Sequence, residues 1–416
     1  MSTHFLSGKR IVVAGAGMAG LSFAAALRKL WPDTIPPPHV TIFERDTAQD
    51  AEGREGYSLS LAGFDSTGGL AALRDLGLLD RALEHALLGV DGTGCFKIWG
   101  PDWSDVMSVR MPPAKGLPTA VIRIARKHVR QVLLEGVTDE VRWGVACVSA
   151  RRAESGKVVV QLSGEGLSPE QSTVECDLLV VADGGNSKIR TSLRPSDGLE
   201  YAGAVQIGGI AHFPQGIPAP VNDNWGLQIS GGRGVCCFYS PVDEHGVVWA
   251  LSFLEADPRA KLGKLNSVEE IRPVLEEARK RGHMLGPLFH TMVDATTDPA
   301  GVFCFPARDK KPFSHDLGEA PIVFIGDSNH AVSPFAGYGA SLALKDGWDL
   351  AQALVSTSSV EDAIRNYDGI SVPRAKKVLA SSRWRIKYGH STGFVYFMFR
   401  TLLTVGGYLL WAMGRG

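Results

Sequence analysis

An excess of charge is what this 416-residue chain most plainly lacks: 43 Lys and Arg stand against 44 Asp and Glu, a net charge of −1. Without a basic excess, the electrostatic footprint of a nucleic-acid binder is missing. Cysteine is scarce too: Cys95, Cys147, Cys176, Cys236, Cys237 and Cys304 form no CxxC pair and keep no metal-type spacing to histidine. That excludes a metal framework built on cysteine and fits reduced, buried thiols in a cytoplasmic protein. Cys236 and Cys237 lie in a strand-like run and are read as packing residues. An apolar strand begins near Arg10, so a cleavable signal peptide is not expected ahead of it. What is abundant is apolar surface, 44% hydrophobic residues, on a chain longer than one core usually holds; two domains, or one with insertions, are expected.

The stretch that organises the rest is Arg10 to Leu27, RIVVAGAGMAGLSFAAAL. A β-branched run stops at Gly15-Ala16-Gly17-Met18-Ala19-Gly20 and turns into an Ala- and Leu-rich helical pattern, the strand, tight turn and helix of a dinucleotide site. Gly15 allows the turn, Gly17 removes the Cβ that would block a pyrophosphate, and Gly20 lets the helix approach the strand. The phosphates then meet the N–H groups of a helix N-terminus, at Met18 and Ala19. A second strand, Val40 to Phe43, ends in Glu44-Arg45, roughly two dozen residues past the turn. A carboxylate there accepts hydrogen bonds from a ribose diol and points to FAD or NAD before NADP.

Further along, residues 66 to 88 have helical spacing broken at Gly77, and Val121 to Leu134 reads as a strand end and an amphipathic helix with Arg123 and Arg126 at its start. One of those two arginines is a candidate cofactor contact. Residues 141 to 181 read as a β-meander ending in Asp183-Gly184, where a glycine at a strand end leaves room for close approach. Leu199 to Leu254 has antiparallel-sheet character, one face of which is expected to wall a pocket, with Trp225, Phe238, Tyr239, Trp249 and Phe253 as candidates against a core role. Residues 267 to 284 read as a charged helix, and Phe303 to Asp309 as the return to the first domain. The second decisive stretch is Pro321 to Gln352: a buried strand, Gly326-Asp327, a loop with Pro334, and Gly337-Tyr338-Gly339 opening a long helix. Asp327 suits a ribityl hydroxyl, and the N–H groups near Ala340 suit an anionic oxygen. Arg54, Tyr239 and His330 are the candidate catalytic residues, His330 with a structural role as its competing reading.

GAGMAG with Glu44, ADGGNSKIR and IGDSNHAVSPFAGYGASLALKD, in this order, resemble the group A flavoprotein monooxygenases, the single-component FAD aromatic hydroxylases of the para-hydroxybenzoate hydroxylase-like superfamily. The resemblance covers roughly residues 8 to 380. It implies an α/β fold: a Rossmann-like FAD-binding domain (1–75, 106–190 and 302–378) interleaved with a β-sheet substrate domain (76–105 and 191–301), then C-terminal helices (379–416). It implies that Gly15, Gly17, Gly20 and Glu44 bind the ADP half of FAD, with Arg126 and Asp327 near the pyrophosphate and ribityl chain. Asp183 and Gly184 would serve FAD and the approach of NAD(P)H, a transient co-substrate; Pro334 to Gly339 would lie beside the isoalloxazine. Relatives often carry Asn where this chain has Ser341, which puts the flavin contact there in doubt. The implied activity is oxygenation by O2 of an electron-rich aromatic, phenol- or indole-type, through a flavin C4a-hydroperoxide. The rival readings are an oxidase, reductase or halogenase of the same fold, although no WxWxIP stretch is present, and a non-catalytic flavoprotein.

Gly393 to Ala412 is strongly apolar, preceded by the basic stretch Arg374 to Lys387 and interrupted by Arg400. A helix packed over the substrate domain is favoured over a peripheral membrane contact, and both over a span, since Arg400 near its middle is costly in lipid.

Overall fold

Two kinds of sheet share this chain, one parallel and one largely antiparallel. The computed structural model describes residues 4–48, 57–90, 94–315 and 321–414. Its elements begin with β1 (Arg10–Ala14), α1 (Met18–Leu30), β2 (His39–Glu44), β3 (Ser58–Ala62), α2 (Gly69–Leu76), α3 (Leu79–Glu84) and β4 (Ala86–Leu88). Next come β5 (Phe96–Trp99), β6 (Asp105–Val109), β7 (Val121–Ala125), α4 (Arg126–Glu135), β8 (Glu140–Trp143), β9 (Val145–Arg152), β10 (Val158–Gly164), β11 (Thr173–Cys176), β12 (Leu178–Val181) and α5 (Lys188–Leu193). The second half runs through β13 (Glu200–His212), β14 (Trp225–Ile229), β15 (Val235–Pro241), β16 (Gly246–Leu254), α6 (Val268–Arg281), α7 (Pro287–Asp294), β17 (Phe303–Asp309) and β18 (Ile322–Phe324). It closes with α8 (Asp327–His330), α9 (Gly339–Ser356), α10 (Val360–Gly389) and α11 (Gly393–Ala412).

Strands β18, β12, β1, β2 and β8 form a parallel sheet in that order. Parallel strands are buried on both faces, which is why they read as unbroken apolar runs. Ile11, Val13, Val180 and Val323 pack on the side of α1 and α9, while Val12, Ala14, Leu179 and Val181 pack against Val158 and Val160 of β10. Helices α1 and α9 are in intimate contact: a Cβ on Gly347 would lie 2.5 Å from the Phe23 nitrogen.

The second large sheet has the order β17-β13-β16-β15-β14-β5-β6. Its alternating side chains divide cleanly. Val205, Ile207, Cys237, Trp249 and Leu251 pack with Ile271, Leu275 and Phe289 of the helices α6 and α7 that cover one face. The other face looks toward β3 and β7, where Ser240 on β15 meets the Ser58 hydroxyl at 3.1 Å.

Several pairings depart from the sequence reading. The stretch 141–181 is not one meander: β8 joins the parallel sheet beside β2, β9 to β11 make a separate antiparallel sheet, and β12 pairs with β1. An apolar run does not name its partner. Phe303–Asp309 does not return the chain to the first domain but pairs with β13 as the edge of the seven-stranded sheet. β6 lies astride residues 105 and 106, and β4, within 76–105, pairs with β7 outside the seven-stranded sheet. The helices expected around Gly77 are present, with Gly77 at φ 78° ending the first as a left-handed cap.

Candidate functional site

Three turns converge at the carboxyl ends of β1, β12 and β18. At the first, Gly15 has φ +108° and no room for a Cβ, which would meet the Ala182 carbonyl oxygen at 2.5 Å; at Gly20 a Cβ would fall 2.1 Å from the Gly15 oxygen. At Gly17, by contrast, a Cβ would meet nothing within 4 Å. Gly17 therefore faces open space at the start of α1, whose first turn, Met18 and Ala19 included, has no side-chain cap. Glu44 closes the turn: its Oε2 accepts the Ala16 N–H at 2.8 Å and its Oε1 the Asp46 N–H at 3.0 Å. Each carboxylate oxygen retains a further acceptor position for a ligand hydroxyl. Arg130, which sequence reasoning missed, donates to the Ala16 oxygen at 3.0 Å and sits 3.5 Å from Glu44. Arg45 points outward toward Asp46.

The second turn holds Asp183 and Gly184. Asp183 Oδ2 accepts the Lys188 N–H at 3.0 Å, and its buried Oδ1 has no partner among the described residues. Burial pushes this carboxyl above its usual range, against the Ser187 hydroxyl and the N–H groups of Lys188 and Ile189. Gly184 has φ +83° and open space on its Cβ side. At the third turn Asp327 stands exposed at the start of α8, where partial desolvation pushes its pKa up against the charges of His330 and Arg126. Arg126 starts α4 with its guanidinium 5.9 Å from the Tyr57 ring. Arg190 ties the second and third turns together, donating to the carbonyl oxygens of Gly185, Ser328 and Asp197.

His330 is enclosed, 1% exposed, and bonded through Nε2 to Asp346 at 2.6 Å. Asp346 also accepts the Gly326 N–H at 2.8 Å, the Ser371 hydroxyl at 2.9 Å and Arg374 at 2.8 Å. Burial lowers the pKa of His330, but Asp346 outweighs it and the net shift is upward; for Asp346 burial raises it, and His330 and Arg374 hold it well below the usual range. His330 is thus buried beneath the Gly326 turn and paired with Asp346.

Pro334–Ala336 forms a tight turn leading to Gly337 at φ +60° and to Gly339 and Ala340 at the start of α9. Arg385 from α10 donates to the carbonyl oxygens of Phe335 at 3.2 Å and Ala336 at 2.8 Å, bracing that turn. Ser341 is fully buried and accepts the Ala62 N–H at 3.1 Å, so its hydroxyl links α9 to β3.

Across from this turn lies the seven-stranded sheet. Phe238 is the one sequence-nominated aromatic shown against β7, with the Arg123 guanidinium 5.6 Å from its ring. Arg123 bonds to Ser240, Ser60 and Ser58, and its burial lowers its pKa to about 9. It joins the two sheets, leaving Arg126 as the arginine near Asp327. Tyr239 points the other way: its hydroxyl donates to Gln228 at 2.8 Å and its ring packs on Trp103 in the helix-covered core, with Trp249 and Phe253. Trp225 is buried on β14, its ring near Gly94. Strand alternation shows that two faces exist but not which one meets the site. Cys236, on the same face as Phe238, lies 3.3 Å from His390 Nε2 and 3.1 Å from Ser252, and the His390 ring stands edge-on to Phe335 at 5.7 Å. All six cysteines are free. Arg54 lies outside the described residues.

No family model matches the chain. It is 42% identical over 393 residues to the monooxygenase cfoF of Aspergillus candidus, an alignment covering 94% of this chain and 93% of that protein. It is 27% identical over 352 residues to the chloroplastic zeaxanthin epoxidase of Spinacia oleracea, covering 83% of this chain but 47% of that longer protein. In fold it is similar to Klebsiella pneumoniae HpxO, solved with FAD and uric acid: the TM-score is 0.73 at 20% identity, over 99% of this chain and 97% of that one.

Proposed function

The chain belongs to the FAD-dependent monooxygenases, and from that premise we propose that it is a cytoplasmic enzyme that hydroxylates or epoxidises an electron-rich aromatic of phenol or indole type, with NAD(P)H as transient reductant and O2 as oxygen source. The observation that carries this reading is the convergence of the three turns at the carboxyl ends of β1, β12 and β18. The open side of Gly17, the unpartnered Asp183 Oδ1 and the exposed Asp327 all lie at the carboxyl ends of the parallel strands, and a dinucleotide with hydroxyl-bearing linkers fits those donors and acceptors. Bound FAD supplies the redox chemistry that activates oxygen.

The chain's own groups do the rest. The α1 N-terminus neutralises the pyrophosphate, and the second acceptor positions of Glu44 receive the ribose hydroxyls. Asp327 and Asp183 accept ribityl-side hydroxyls, and Arg126 balances the negative charge gathered there. Gly184 leaves a path for a nicotinamide ring to draw close. Arg385 fixes the Pro334–Ala336 turn, so that the N–H groups beyond Gly337 present one geometry. Phe238 and its neighbours on the facing sheet exclude water and orient an aromatic ring by packing.

The test is NADH and NADPH oxidation in air by the FAD-loaded protein against phenols and indoles, with product masses recorded. Substrate-stimulated oxidation with a product heavier by one oxygen atom is expected. Consumption at one slow rate with every compound, yielding only peroxide, would overturn the phenol or indole assignment: either the substrate lies outside the panel or the enzyme is an oxidase. Gly17→Val, at φ −84° where any residue fits the backbone, should fold yet carry no flavin, read from the visible absorbance of the purified protein.

A further inference from the structure

The C-terminal helix α11 is apolar over most of its circumference, and only one side of it is covered. Tyr396, Phe399 and Leu403 pack toward β5 and β6, and Gly407 lies against Val106 and Met107. Leu403 is the one buried residue of the helix. At 100° per residue the opposite side carries Phe394, Phe397, Met398, Leu402, Val405 and Leu409, which are 76, 62, 53, 63, 52 and 60% exposed. Tyr408 and Trp411, each 70% exposed, flank this face near its far end. A helix hydrophobic over most of its surface belongs in a protein core or in lipid, and a face of this size is not left to water.

Charge decides between the possible coverings. From Gly369 to Gly416 the chain holds eight Lys and Arg and no Asp or Glu, although the whole molecule is nearly neutral. Arg374 and Arg383 are tied into internal ion pairs, whereas Lys376, Lys377 and Lys387 stand exposed on α10, the last beside the half-exposed Trp384. Arg400 is exposed on the flank of α11, with Asp102 close enough to feel its charge. A second copy docking through the same face would bring these cations against one another. An anionic bilayer would meet them with opposite charge while receiving the apolar face. A span is not compatible with this arrangement, because one side of α11 is held on β6 and Arg400 sits mid-helix.

We propose that α11 is an in-plane membrane anchor, which seats the enzyme on the surface of an anionic bilayer with the Phe397–Leu402–Val405 side inserted and the lysines of α10 on the headgroups. The sequence-based preference for a helix packed over the neighbouring sheet describes its inner side, and the membrane its outer one. This rests on the exposed face and the cations beside it, and is independent of the substrate. The test is cosedimentation of the full, FAD-loaded chain with vesicles of phosphatidylcholine alone and of phosphatidylcholine with phosphatidylserine. Partitioning onto the anionic vesicles should be at least about tenfold stronger and should fall in high salt. Phe397→Ser, Leu402→Ser and Val405→Ser combined should abolish it with flavin content unchanged, and Lys376→Glu with Lys377→Glu and Lys387→Glu should erase the preference for anionic lipid. Failure to bind either vesicle would overturn the proposal. A dimer in light scattering that the triple serine variant converts to monomer, with no vesicle binding, would assign the face to a second copy instead.

Discussion

Asp346 sits, fully buried, between the imidazole of His330 and the guanidinium of Arg374, and this pairing underlies the Gly326 turn. Its pKa is depressed in the fold, so its contribution to stability is complete above the ordinary Asp value of ~3.9 and is lost as pH falls through its lower folded value. His330 is shifted upward, so its contribution is complete below ~6.5 and is lost as pH rises through its higher folded value. Both act together between about pH 4 and 6.5. His330→Gln removes one partner of a buried pair and should cost roughly 3–5 kcal/mol at pH 6. Urea midpoints measured from pH 6 to 9 should converge for wild type and variant as pH rises; a constant gap would show that His330 stays neutral in the fold.

Among the elements, α9 carries the clearest test. Ser341→Ala would leave the buried Ala62 N–H without its acceptor, at a cost of about 1–3 kcal/mol, because the hydroxyl bonds to β3. Flavin content per chain should be unchanged. A drop in flavin content without loss of stability would instead return Ser341 to the cofactor. The β1-turn-α1-β2 unit was legible in the sequence because its signals, three glycines and an acid, are local and each answers to one steric or hydrogen-bonding demand. The partners of β8 and β17 were not, since strands with similar apolar patterns are told apart only by what they pair with. The same limit left Tyr239 between a catalytic and a core reading: alternation along β15 separates Tyr239 from Phe238, but only the placement of α7 and β7 shows that Tyr239 lies in the helix-covered core. Arg130 and Arg385 gave no signal, because each braces a turn remote in the chain through carbonyl oxygens that carry no sequence identity.

At the scale of the whole molecule the site depends on two distant helices staying in contact. Gly347→Ala would place a Cβ 2.5 Å from the Phe23 nitrogen and 2.6 Å from the Ala19 oxygen, forcing α9 away from α1 and separating the N-termini of the two helices. Loss of about 1–3 kcal/mol and weaker FAD binding are expected together, by denaturation and by flavin titration. Gly369→Ala, in α10 with nothing within 4 Å, should instead stabilise by about 0.5–1 kcal/mol and leave flavin affinity alone; equal behaviour of the two would refute the packing argument. The interleaving of the sheets also governs how the protein is made. The parallel sheet opens with β1, ending at Ala14, but its edge strand β18 does not begin until Ile322. At translation rates of about 5–20 residues per second the first strand waits on the order of 15–60 s for the last. Through that interval the ribosome holds the Gly15–Gly20 turn without the Gly326 turn that it faces, and flavin can be captured only after Asp327 has been added.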